Sequence, residues 1–449
     1  MASRVQLSPQ GSAIVGTARP GWRERATSLD AVSLLTIYLV LLIAVPSRLV
    51  FGAIGSTGTP AAVVGVVALV WWGASRIVPS IGGATGLQPV RTTVLAFCVA
   101  VALSEIAGAA RAMDGVETRA ANASLFGLAA AGGVAWLAAD GIDRLARLLV
   151  LVDRIVIGGA ALASLGIVQF FTGFDITKYL WFPGTHINGD LQLIQIRDGF
   201  NRVAGTAVHP IEFGVVLATI FPIAVHQAMH RGSDSRLRRV APALLIAAAL
   251  PMSLSRSAIL GVIAAGLVLA LGWTWPQRAN AAVVTVGFLG VMRAVIPGLL
   301  GTLRNLFTNL QSDSSYVART NHAQEAWNYI GAAPWIGRGF GTFLPERYVL
   351  LDNQYLGTLA ETGIIGLVAL VSVFCAAFVV AHHVSQTILD PELQSLGRAL
   401  AASAVVPLVT YVTYDAFSLR MGVGITFLLL GCAGAFWRLT RHTPLGIAP

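Results

Sequence analysis

Residues 363–382 read GIIGLVALVSVFCAAFVVAH, without a single Asp, Glu, Lys or Arg. A helix rises about 1.5 Å per residue, so this run spans the roughly 30 Å hydrocarbon core of a bilayer. Similar runs recur on both sides of it. Read between charged or Gly/Pro-rich breaks, they give twelve spans near 31–51, 60–78, 92–110, 122–139, 148–171, 208–228, 239–254, 256–275, 279–298, 363–382, 397–414 and 422–437. Composition agrees: 55% of the 449 residues are hydrophobic and 11% charged, with a mean hydropathy of +0.73. A soluble protein carries about a quarter charged residues, so this chain cannot coat a water-facing surface. The expected fold is all-α, a polytopic transmembrane bundle of about twelve spans, with two outer-face loops containing short amphipathic helices.

Charge sets the orientation. The chain is basic, +9 at neutral pH, and Lys178 is its only Lys. That skew fits codon bias, although Arg also binds phosphate bidentately. Basic residues concentrate in the even-numbered connections, most densely at Arg231, Arg236, Arg238 and Arg239, which places both termini in the cytoplasm. The expected layout is a tail over 1–29, spans one to nine over 30–298 with an outer loop at 172–207, a large outer loop at 299–362, spans ten to twelve over 363–437, and a tail over 438–449. Cys98, Cys375 and Cys432 lie inside apolar runs and build neither a disulfide framework nor a zinc site. No nucleic-acid-binding pattern, cofactor motif or Asp-x-Asp pair is present. The chemistry is therefore expected at the outer membrane face, without a metal.

Three places there carry candidate residues. Arg202-x-x-Gly205-Thr206-x-x-His209-Pro210 precedes the sixth span, with Glu212 just inside it. A basic residue at a helix start suits an oxyanion or phosphate, whereas lipid snorkelling and helix capping are the plain alternatives. Glu212 in an apolar helix is costly and therefore paired or functional. Ser253-Leu254-Ser255-Arg256-Ser257 forms an almost loopless turn that holds Arg256 at the outer interface. The late segment carries Arg319, His322 and Glu325 on one face of a helix expected over 314–331. It continues through Pro334-x-x-Gly337-Arg338-Gly339, whose glycines would let amides approach a ligand, to Asp352-Asn353 and Glu361. Asp352 and Glu361 also suit a helix cap and a first-turn dipole partner.

In this order the segments resemble the O-antigen ligase and polymerase superfamily, over most of the chain. Ligases and protein O-oligosaccharyltransferases of that group share a His, then Asn, Ser or Gln, nine residues, Gly, two residues, and Gly, Thr or Tyr. Asn353, Gly363 and Gly366 keep this spacing, with Asp352 where the His stands. The resemblance implies a metal-independent, inverting glycosyltransferase of the GT-C class, moving a glycan from a polyprenyl-diphosphate carrier to a hydroxyl of a glycan, lipid or protein acceptor. Arg202, Arg256, Arg319 and Arg338 would hold the diphosphate as it gains charge. Asp352 is the base by position, with His322 and His209 as rivals and Glu361 as an orienting partner. Asn353, Gly337, Gly339, His209 and Glu212 would shape the site. A polymerase of the same superfamily differs only in acceptor. A transporter or flippase would instead use the intramembrane Glu105, Asp153, Arg154 and Glu212, and a scaffold would leave the loop motifs unexplained.

Overall fold

The computed structural model describes residues 30–78, 83–189, 194–230, 235–308 and 324–441. Each of the twelve expected spans corresponds to a helix: α1 Ala31–Ala44, α2 Pro60–Ile77, α3 Pro89–Ala109, α4 Gly115–Gly141, α5 Leu145–Thr172, α6 Pro210–His230, α7 Arg236–Met252, α8 Arg256–Leu271, α9 Trp275–Val295, α12 Gln354–Thr387, α13 Pro391–Thr410 and α14 Arg420–Thr440. Between them lie α10, Leu299–Thr308, and α11, over 324–332. Among the described residues nine helices are long and apolar enough to cross a membrane, and α1 and α8 are shorter apolar helices. The protein is a multi-pass helical membrane bundle.

Local chemistry sets the helix starts. Asp30, Thr59, Asp114, Ser235, Ser255 and Asp390 each cap a helix by accepting amide protons, and Pro opens α2, α3 and α13 at positions where no amide partner is needed. Packing then selects small residues. A Cβ on Gly133 would lie 2.5 Å from the carbonyl oxygen of Gly65, so α2 and α4 meet backbone to backbone. Helices α6 and α14 form the interior, with 78% of each span buried, while 6% of α9 is buried.

Three features depart from the sequence reading, and a fourth lies partly outside the described residues. The first span ends at Ala44 rather than 51, because Pro46 cannot continue a helix. Arg48 therefore sits in a buried turn, 3% exposed, and donates to the Thr177 hydroxyl at 2.8 Å. Within 172–207 the described residues contribute three short strands to two small antiparallel sheets rather than an amphipathic helix. Strand β1 (Leu49–Val50) pairs with β2 (His186–Ile187), and β3 (Gln195–Arg197) with β4 (Phe200–Arg202). Helix α12 begins at Gln354, nine residues before the expected span. Of the helix expected over 314–331, residues 324–331 are helical, and Arg319 and His322 lie outside the described residues.

Several charges within the described helices meet polar partners. Asp153 accepts from the Gln227 amide at 2.8 Å, and Arg154 donates to Thr36 at 2.6 Å. Asp140 on α4 accepts from the Trp72 indole at 2.9 Å and pairs with Arg76 and Arg91. Asp153, Arg154 and Asp140 are each met by a neighbour, as burial requires.

Candidate active site

Four chain segments converge at one end of the bundle. The first is the β3–β4 hairpin, whose turn residues Asp198 (φ 49°) and Gly199 (φ 80°) both adopt left-handed conformations, as a two-residue hairpin demands. The register sets Arg202 opposite Gln195, and its Nη1 donates to Gln195 Oε1 at 3.0 Å. Its Nε donates to the carbonyl of Ser253 at 3.1 Å, so Arg202 is tied to the turn that carries Arg256. Two bonds from one rigid fork fix the plane of the guanidinium.

The second segment is that turn. Helix α7 ends at Met252, Leu254 takes a left-handed φ of 46° while fully buried, and Ser255 caps α8. A left-handed Leu costs about 1–2 kcal/mol, and the surrounding packing holds it there. The strain lets two helices meet across three residues and puts Arg256 in the first turn of α8. Ser257, next to it, accepts from the Thr413 hydroxyl at 2.7 Å.

The third segment runs from Gly205 into α6. Gln169, fully buried on α5, clamps Gly205 from both sides, accepting its amide at 2.8 Å and donating to its carbonyl at 3.2 Å. Thr206 donates to the Ile43 carbonyl. The loop thus presents His209 in one orientation, with Nδ1 accepting the Ile211 amide at 3.2 Å. Burial and then the Arg202 charge push His209 down to about 4, against a smaller opposing pull from Asp352. It is neutral at neutral pH, and the acceptor role of Nδ1 leaves the proton on Nε2.

Glu212, fully buried, accepts the amides of Val208 (2.8 Å), Met421 (2.6 Å) and Gly422 (3.1 Å). It joins the His209 loop to the N-terminus of α14, with Arg420 within electrostatic reach. Arg420 in turn donates to the Ser47 carbonyl at 3.0 Å and faces a cavity of about 60 Å³ lined by Tyr38, Thr57, Ser124, Phe340 and Phe417.

The fourth segment is the start of α12. Asn353 is its N-cap, its side chain accepting the amides of Tyr355 and Leu356. Asp352 precedes the cap and is half-buried within electrostatic reach of His209 and Asp415. The helix breaks at Gly363 (φ 66°, ψ −168°), where a Cβ would lie 2.3 Å from Trp335 backbone atoms. The break exposes amides and carbonyls that the glycine-rich turn then satisfies. Ile364 and Ile365 donate to the carbonyls of Pro334 (2.8 Å) and Trp335 (3.2 Å), and the Glu361 carbonyl accepts from Gly339 and from Ser104.

The structure brings together Arg202, Arg256, His209 and Asp352, with Glu212 and Asn353 in the same segments, and places Gly337, Arg338, Gly339 and Glu361 at the neighbouring turn. Gly337 lets the turn lie on α12, since a Cβ there would be 2.1 Å from the Glu361 carbonyl oxygen. The Gly339 amide, expected to approach a ligand, is spent on that same carbonyl. The Glu361 carboxylate accepts the Phe343 and Gly341 amides and so grips the turn from the other side. Arg338 sits over Tyr348 with its centre 4.1 Å from the ring, and faces Glu117 at 3.8 Å. Glu117 is shared with Arg111 at 2.7 Å. Sequence reading passed over Gln169, Gln354, Asp415 and Arg420. Polar residues in an apolar helix or in a short connection were the available signal.

A family model described as O-antigen ligase matches residues 241–371, from the first turns of α7 to just past Gly366. Over residues 241–371 the chain is similar to the O-antigen ligase family. The O-antigen ligase match includes the Arg256 turn and the whole Asn353–Gly366 motif, while Arg202, His209 and Glu212 lie N-terminal to it. The motif spacing has a structural meaning here: Asn353 starts a helix, Gly363 breaks it, and Gly366 makes room for Thr362, whose hydroxyl a Cβ would meet at 1.9 Å. No curated protein matches the chain.

Proposed function

We propose that this protein is a metal-independent, inverting glycosyltransferase that moves a glycan from a polyprenyl-diphosphate carrier to an acceptor hydroxyl. The reaction would run at the outer face of the cytoplasmic membrane, with both termini inside. The observation that carries the reading is the bond from Arg202 to the Ser253 carbonyl. It joins two separate basic motifs at one point, beside a carboxylate.

In the proposed reaction the acceptor oxygen attacks the anomeric carbon from the face opposite the diphosphate. The anomeric C–O bond breaks and its electron pair leaves with the lipid diphosphate, whose growing charge Arg202 and Arg256 stabilise, with Arg319 as a third candidate. Asp352 takes the acceptor's proton. His209 is better suited to donate from Nε2 to a diphosphate or sugar oxygen than to act as base, because it is neutral and its Nδ1 is occupied. Glu361 supports the site by holding the 334–343 turn against α12, and Arg338 ties that turn to Glu117 on α4. Ligase and polymerase differ in this scheme only by the acceptor.

The test is transfer by the purified protein from a polyprenyl-diphosphate-linked oligosaccharide, with chelator present and absent. Transfer that persists in EDTA and inverts the anomeric configuration supports the scheme. Loss of transfer in EDTA overturns the metal-free step, and retention of configuration overturns single displacement.

A further inference from the structure

The last connection of the chain, between α13 and α14, is short and carries Asp415. Its position is fixed by one buried residue. The Gln354 amide N–H donates to the carbonyls of Tyr411 (2.8 Å) and Tyr414 (3.0 Å), and its side-chain oxygen accepts the Phe417 amide at 2.7 Å. Gln354 is 3% exposed and lies two residues after Asp352. These three bonds, made by the first residue of α12, hold the 411–417 loop beside Asp352. Thr413, bonded to Ser257, ties that loop to the Arg256 turn as well.

Building on the transfer reaction proposed above, we propose that Asp415 is a second carboxyl of the site. It is paired with Asp352 across the Gln354 clamp, so that the proton leaving the acceptor is shared between two carboxylates. In this step the acceptor O–H bond breaks to Asp352 as the new glycosidic bond forms. The proton then passes between the two carboxyls and on to water, while the diphosphate keeps the electron pair of the broken bond. Asp415 is a positioning residue in this scheme, acting through Asp352.

The surroundings of Asp415 fit such a role. Burial pushes its carboxyl up to about 6, and the Asp352 charge pushes the same way. The Ser418 hydroxyl and the amides of Ser418 and Phe417 pull it down, so it is neither locked as an acid nor indifferent to its neighbour. Among the described residues, Glu361 on α12 and Tyr414 in its own loop are also within its electrostatic reach. Arg420 opens the helix after the loop and is turned to Ser47 and Glu212.

The experiment has one arm that needs no substrate. Infrared difference spectra of the full chain in lipid nanodiscs, titrated between about pH 8 and about pH 4, follow protonated carboxyls in the range where aspartates titrate. The band lost in Asp415→Asn belongs to Asp415 and is expected to titrate near 6. In Asp352→Asn that midpoint should fall by less than burial raises it, and an unmoved midpoint overturns the pairing. The second arm is the pH profile of transfer from a polyprenyl-diphosphate-linked oligosaccharide. Its acid limb should be displaced by Asp415→Asn and restored by Asp415→Glu. Coupled titration with an unmoved limb overturns the role in transfer. Coupled titration in a parent protein that transfers nothing at any pH refutes the transfer reaction itself, and the pairing stands.

Discussion

Replacing Glu212 by Gln changes one atom and should cost more than any surface substitution in the chain. The carboxylate accepts three amides through two oxygens, Met421 and Gly422 on one and Val208 on the other. A glutamine offers one oxygen. In its better orientation it keeps the α14 amides and turns its NH₂ toward the Val208 N–H, donor against donor. Losing a bond to a charged acceptor costs about 1.5–3 kcal/mol, and the two surviving bonds drop to neutral strength, roughly half. Arg420 also loses its nearest countercharge. The expected total is about 3–4 kcal/mol, a large share of a stability that is typically about 5–15 kcal/mol. Reversible unfolding in one fixed lipid–detergent mixture, followed by tryptophan fluorescence, measures it. A Glu212→Gln variant within about 0.5 kcal/mol of the parent, the range of an ordinary surface change, would refute the reasoning, because it would mean the native side chain is carried as a neutral acid.

Further substitutions test other joints. Gly363→Ala should destabilise by about 3 kcal/mol or more, since it forces Ala into a conformation reserved for glycine and onto the Trp335 backbone; the same unfolding assay reads it. Arg202→Lys should lower transfer by roughly ten-fold or more by losing one of two fixed contacts, to Gln195 or Ser253, with unfolding little changed. His209 is held neutral down to about 4, below its unfolded value near 6.5. The unfolded chain therefore binds the extra proton between those limits, and stability should fall as pH drops from about 6.5 to about 4. His209→Asn should flatten that slope in unfolding titrations, and an unchanged slope would assign it to another group.

The spans were legible because an apolar run records where the chain meets lipid, and lipid contact is a property of composition. The lead-in to α12 was not, for the same reason. Gln354, Thr358 and Thr362 are buried against protein rather than lipid, so their polarity read as loop although they are helical. The hairpin that aims Arg202 is written in Asp198-Gly199, a pair favoured in two-residue turns, but the sequence reading expects an amphipathic helix in that loop. Gly337, Gly339 and Arg338 looked like a ligand cradle because sequence shows that an amide or guanidinium is available, not which carbonyl or ring it meets. The convergence of Arg202, Arg256 and Asp352, far apart in the chain, depends on the single carbonyl of Ser253 and the single amide of Gln354.

The central claim is that a lipid diphosphate sits where those segments meet. Photo-crosslinking with a polyprenyl diphosphate that carries its reactive group at the diphosphate end tests it most directly, with the labelled peptides read by mass spectrometry. Adducts should fall in residues 198–210, 253–257 and 352–356, and should be lost in the Arg202→Ala variant. Adducts confined to the opposite end of the bundle, around Arg76 and Arg91, would contradict the assignment.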